Sequence, residues 1–181
     1  MKQRTTAHSS LLLRGVLAVL TIAAFAALPA HAATTTCSTN SEIRQLDYWL
    51  GTWTVSAPGS TDTSTAKVSL SLDHCLFTES WDDGKGHAGQ DMFAYSPDDS
   101  NWHGMFADNE GRVHLFDRGK VAAGTAEFEG PSRGPQGEAV LNRVKLVRVS
   151  ANKLQQSWEK STDNGATWNT IFRGEYSRKT P

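Results

Sequence analysis

Cysteine is scarce in this chain, with only Cys37 and Cys75 among 181 residues. Two cysteines so far apart cannot supply a zinc knuckle, which draws its ligands from closely spaced pairs. The apolar stretch from Gly15 to Leu28 covers about 14 residues, short of the roughly 20 that a bilayer-spanning helix needs. There is no polybasic run, so neither nucleic acid nor an anionic membrane surface is indicated as a partner. The chain also lacks G-x-S-x-G, a P-loop, H-E-x-x-H, a paired C-x-x-C and a G-x-G-x-x-G behind a strand. Ser, His and Asp all occur, but no spacing assembles them, and a triad is recognised by geometry.

What is present at the start reads as an export leader. Lys2, Arg4 and Arg14 precede the apolar stretch, which ends in Pro29-Ala30-His31-Ala32, an A-x-A cleavage site. Residues 1–32 are expected to be removed, 33–38 to be a spacer, and 39–181 to form a single domain, periplasmic or secreted, with no stable membrane insertion. Beyond residue 32, fifteen basic residues face nineteen acidic ones, a net charge of −4. Both cysteines fall in the exported part, where disulfides persist, so a Cys37 to Cys75 bridge is expected. The alternative is two unpaired thiols, one of them buried in a strand.

Thr39-Asn40-Ser41-Glu42 has the form of a capping box, and Ile43, Leu46 and Leu50 follow at helical spacing. A short helix to about Trp49 is predicted, ended by Gly51. From Thr52 the period becomes two and Gly, Pro, Asn and Asp punctuate the chain at short intervals, which predicts about ten antiparallel strands. Asp82-Asp83-Gly84, Ser96-Pro97-Asp98-Asp99, Asp108-Asn109-Glu110-Gly111 and Thr162-Asp163-Asn164-Gly165 supply the turns. One strand is expected from Arg112 to Arg118, and a mobile loop from Gly130 to Gly137. So many short strands in one domain must close or stack, because open edges invite aggregation. The fold class is all-β, an antiparallel barrel with a short N-terminal helix.

Asp47-Tyr48-Trp49-Leu50-Gly51-Thr52-Trp53 resembles the opening of lipocalin-like, or calycin-like, barrels, in which a Gly-x-Trp leads into the first strand. With the cysteine strand ending Glu79-Ser80-Trp81, the central Trp102-His103 and the late Trp158 to Trp168 segment, most of residues 37–178 resembles a bacterial family of exported barrels of this kind. That resemblance implies a barrel with a ligand cavity and carries no particular activity. Ser161-Thr162-Asp163-Asn164-Gly165-Ala166-Thr167-Trp168 also matches the Asp-box of sialidase propellers. One copy cannot build a propeller, and the segment is expected to be a hairpin turn.

Glu79 is the most informative polar residue. In an extended strand it shares a face with Cys75, Phe77 and Trp81, so it must be paired, hydrogen-bonded or protonated. It is either a polar contact in a cavity, an acid/base group, or a structural Glu held by an arginine such as Arg143 or Arg173 or by a Trp N–H. His103 and His114 lie on successive strands, and a bulge at Gly111 would put them on opposite faces. Six tryptophans are many for one such domain, and rings facing inward would line a cavity suited to a flat or apolar ligand.

The function expected from the sequence is non-enzymatic binding of a small, partly apolar molecule, with no cofactor or metal. Trp53, Phe77, Glu79, Trp81 and Phe93 are expected to line the cavity. Tyr95, Trp102, His103 and Trp158 complete the expected set. Three rivals stand beside this: a nitrobindin-like barrel holding haem with His103 as axial ligand, an enzyme with Glu79 as acid/base assisted by Asp91 or His103, and a filled barrel serving as an envelope interaction module.

Overall fold

The computed structural model describes residues 36–179. The export leader read at residues 1–32 lies outside the described residues. Asn40, not Thr39, caps the helix: its side-chain oxygen accepts from the N–H groups of Glu42 (2.9 Å) and Ile43 (3.2 Å). The Thr39 hydroxyl is drawn instead to the Thr36 carbonyl, at 3.2 Å. Helix α1 is a single turn, Ser41–Arg44, and a 3-10 turn at Asp47–Trp49 replaces the continuous helix expected to Trp49.

Eleven strands follow. They are β1 (Gly51–Ser56), β2 (Thr63–Ser71), β3 (Leu76–Asp82), β4 (Ala88–Ser96), β5 (Asn101–Asp108) and β6 (Val113–Phe116). After these come β7 (Arg118–Ala122), β8 (Thr125–Arg133), β9 (Ala139–Ser150), β10 (Lys153–Ser161) and β11 (Asn169–Arg178). Each ladder is antiparallel and β1 pairs with both β2 and β11, so the sheet runs β6-β5-β4-β3-β2-β1-β11-β10-β9-β8-β7. The sheet curls until its end strands approach each other, giving a nearly closed antiparallel barrel.

The extra strand arises because the segment expected as one strand to Arg118 breaks at Asp117. There the chain crosses the seam, and hydrogen bonds of single groups stand in for a ladder. Asp117 N–H donates to the Glu129 carbonyl at 3.1 Å. Asn101 donates to the Asp117 carbonyl at 2.6 Å and accepts from Gly119 N–H at 3.0 Å. The approach is so close that a Cβ at Gly130 would collide with the Leu115 carbonyl. Gly130 therefore fits where no larger residue does.

The segment from Gly130 to Gly137, expected as a loop, is only half loop. Strand β8 continues to Arg133, with Pro131 opposite Leu141. Past Glu129 it no longer pairs with β7, so a residue without an N–H is tolerated there. The turn itself is confined to Gly134–Glu138 and closed by N–H bonds of Gly134 and Gly137, both 2.9 Å.

One end of the barrel is filled. Ile43, Leu46 and Trp49 from the helical segment pack with Trp53, Phe77, Phe93 and Phe128, all buried. The Phe93 and Phe128 rings stack at 3.9 Å, and Trp49 lies 5.8 Å from Phe93. Burying rings of this size supplies much of the drive to fold. A Cys37–Cys75 disulfide, with Cα atoms 5.0 Å apart, fastens the segment before α1 to the start of β3. Arg44 adds a bond to the His74 carbonyl at 2.8 Å. Among the described residues no helix is long and apolar enough to cross a membrane.

Candidate functional site

The other end of the barrel, at the β3–β4 and β5–β6 turns, holds a pocket of about 320 Å³. Alternation along β3 points Phe77, Glu79 and Trp81 inward at successive levels: Phe77 in the filled core, Glu79 at the pocket floor and Trp81 in its wall. Strand β4 runs the opposite way and brings Asp91 directly across from Glu79. At the same level β10 contributes Gln156 and β11 contributes Tyr176, whose hydroxyl donates to Gln156 Oε1 at 2.8 Å. These four polar side chains form a buried layer over the aromatic core; Glu79 is 1 % exposed and Asp91 7 %.

Above that floor stand Trp81, Phe106, Trp158 and Phe172, with the Phe106 and Trp158 rings edge to face at 5.2 Å and His114 packed against both. The Trp158 indole N–H donates to Asn142 Oδ1 at 3.1 Å, which fixes the ring against the β9 side of the barrel. Gly89 lies inward across from Trp81, and its missing side chain leaves the room that the Phe106 edge fills.

Burial pushes the Glu79 carboxyl well above the usual carboxylate range, the nearby Asp91 charge and hydrogen bond push it further, and the Tyr176 hydroxyl opposes them. Burial also raises Asp91, to about 6, while the Glu79 hydrogen bond works to keep it ionised. Ionising both carboxyls is opposed by burial and by their mutual repulsion, Glu79 being the harder of the two to ionise, while Asp91 at about 6 leaves negative charge on the pair at neutral pH. Burial, then the two carboxyls, push Tyr176 up and keep it neutral. Burial lowers His114, and Lys160 and Arg112 lower it further. The Tyr176 proton is already given to Gln156, so what the floor offers a ligand is hydrogen-bond acceptance at the two carboxyls. Glu79 Oε1 is buried without a hydrogen-bond partner.

At the rim His87, Asp108 and Glu110 could converge on a cation, with candidate ligand atoms within 4.8 Å of one another. Arg112 already fills that place. Its Nε donates to Asp108 at 2.6 Å, and its Nη2 reaches Glu110 at 2.9 Å and His87 Nε2 at 2.9 Å. Burial alone would raise the Asp108 carboxyl, but hydrogen bonds from Arg112 and the Glu110 N–H outweigh it and hold it at about 2.

Of the residues expected around a cavity, the pocket brings together Glu79, Trp81 and Trp158. Trp53, Phe77, Phe93 and Trp102 also point inward but line no pocket: Phe77, Phe93 and Trp102 pack in the aromatic core, and Trp53 packs beneath the floor against Tyr176. Tyr95 is half-buried against Trp102. His103 lies on the outer face, bonded to Asp99 at 2.8 Å, and cannot serve as an axial ligand inside the barrel or assist Glu79. His114 faces the pocket in its place, on the opposite face from His103. Neither Arg143 nor Arg173 holds Glu79: Arg143 pairs with Glu159 at 2.6 Å and lies 3.8 Å over the Trp168 ring, and Arg173 is exposed. Gln156, Tyr176, Phe106 and Phe172 escaped the sequence, because their level in the barrel depends on register.

The Asp-box segment is the hairpin turn between β10 and β11; Lys160 before it and Ile171 after it line the pocket, but none of its own residues does. Asp163 accepts from the Thr167 hydroxyl (2.6 Å), the Thr167 N–H (2.8 Å) and the Ser161 hydroxyl (2.7 Å). Those bonds hold its carboxyl at about 2.

No family model matches this chain, and no curated protein matches its sequence.

Proposed function

We propose that the protein is an exported binder of a small, partly apolar molecule, taken into the pocket at the open end of the barrel. The observation that carries this is the make-up of the site. Aromatic walls stand over a buried polar floor whose Glu79 Oε1 has no partner within the protein. A small apolar enclosure with a few convergent polar groups and raised carboxyl pKa values is what a small-molecule site requires. Trp49 Nε1 and Asn142 Nδ2 are also unpaired but belong to residues that line no pocket, whereas Glu79 lines this one, where a ligand donor can meet its free oxygen. The disulfide and the A-x-A leader support a place outside the reducing cytoplasm, periplasmic or secreted. The lipocalin-like resemblance of the Gly51-Thr52-Trp53 start supports the same reading.

Fluorescence titration with the neutral probe N-phenyl-1-naphthylamine tests it. Saturable enhancement is expected in the wild type, with affinity about tenfold weaker in Trp158→Ala, which removes one wall. The absence of saturable enhancement, or equal affinity in a folded Trp158→Ala, would count against the pocket as the site.

A further inference from the structure

We propose that the occupant of this pocket is an organic cation, a small molecule whose protonated amine seats on Glu79 and Asp91 while its apolar body lies between Trp81, Phe106 and Trp158. This rests on the pocket being a ligand site and names the chemistry of what it takes.

The two buried carboxyls face each other across β3 and β4, and together they retain a negative charge at neutral pH. Among the described residues, no Lys, Arg or His forms an ion pair with either of them. Arg143 is engaged by Glu159, Arg112 by Asp108 and Glu110, and Lys145 by Glu127. Lys160 lines the pocket, but four residues beyond Gln156 along β10, near His114 and toward the mouth. Tyr176 and Gln156, facing the carboxyls from β11 and β10, are uncharged. The floor thus holds a charge with hydrogen bonds and no counter-ion, a costly arrangement in a buried site.

An ammonium group answers each feature. It carries only donors, one of which meets the unpartnered Glu79 Oε1. Its charge meets that on Asp91, and the ring faces beside it attract cations. A carboxylate or phosphate would be repelled at the floor. A neutral alcohol would satisfy the oxygen and leave the charge unmet.

Isothermal titration of the full protein near pH 7.5 with three naphthalene probes tests the assignment: 2-naphthylmethylamine, 2-naphthylmethanol and 2-naphthoate. The amine is expected to bind about thirtyfold more tightly than the alcohol, the ratio for a charge-assisted hydrogen bond, and the carboxylate not at all. Asp91→Asn is expected to bring amine and alcohol within about threefold, chiefly by weakening the amine. An alcohol that binds as well as the amine, or a carboxylate that binds best, overturns the cation and leaves the pocket as a ligand site. Binding by none of the three overturns both. The wild-type ratio decides the matter even if Asp91→Asn fails to fold.

Discussion

The Arg178 guanidinium lies 4.0 Å above the Trp53 ring and donates to two carbonyls of the segment entering β1, Leu50 (2.6 Å) and Tyr48 (3.2 Å). The last strand is in this way locked to the first, and a Cβ at Gly51 would collide with the guanidinium. Removing the fork deletes a cation–π contact and charge-assisted hydrogen bonds together. Arg178→Ala should lower the unfolding free energy by about 3 kcal/mol, read from the urea midpoint. Arg178→Lys should recover only part of it, since an ammonium cannot reproduce the planar fork.

The Cys37–Cys75 bridge closes a separation of 38 residues and ties the helical plug to β3. The chain-entropy account assigns such a loop about 4 kcal/mol. Reduction, or the Cys37→Ser/Cys75→Ser pair, should lower the melting temperature by well over ten degrees. Titration of the native oxidised protein should find no reactive thiol.

The seam between β6 and β8 tolerates no side chain at Gly130. Gly130→Ala should cost about 2 kcal/mol by forcing the Leu115 carbonyl away, and should speed proteolysis between Asp117 and Gly119. Gly137→Ala, where nothing lies within 4 Å, should cost less, and chiefly through its positive φ of 82°.

Stability should fall as pH rises through the Asp91 transition. The folded protein holds protons on Glu79 and Asp91 at pH values where the unfolded chain has released them. Between about 4, where unfolded carboxyls titrate, and about 6, the native state binds more protons, and the unfolding free energy drops by up to about 1.4 kcal/mol per pH unit per group. For Glu79, also raised by burial, the loss has the same sign. Asp108 acts in the opposite sense: its folded pKa is about 2, so its contribution is present above 4 and lost as pH falls toward 2. Urea midpoints from pH 4 to 8 check this. Asp91→Asn should flatten the curve between 4 and 6 and be more stable than wild type at pH 8.

The barrel was legible in the sequence because alternation and turn chemistry are local. Phe77, Glu79 and Trp81 read directly as an inward face. The break at Asp117 was not legible: Arg118 to Ala122 offers Val121 as its one large apolar residue, too little for a period of two, and its inward neighbour is Gly119. The site was half legible for a related reason. Sequence assigns a residue to the inner face but not to a height along the axis, so Trp53, Phe77, Phe93 and Trp102 looked equivalent to Trp81 and Trp158. Height is set by register and by which end the helical segment plugs. Asp91 stood out only as a possible assistant to Glu79, and Tyr176 and Gln156 join the floor through long-range pairing that no local pattern carries.

The six tryptophans provide the most direct test of the pocket as the binding site, since each indole N–H gives its own signal in a nitrogen–proton NMR spectrum. Trp81 and Trp158 line the pocket, Trp49, Trp53 and Trp102 are buried and line no pocket, and Trp168 packs under Arg143. On titration with N-phenyl-1-naphthylamine, the signals of Trp81 and Trp158 should move saturably with a single dissociation constant while the others stay in place. Saturable movement of Trp49, Trp53 or Trp102 with Trp81 and Trp158 unmoved, or no saturable movement at any indole, would contradict the account.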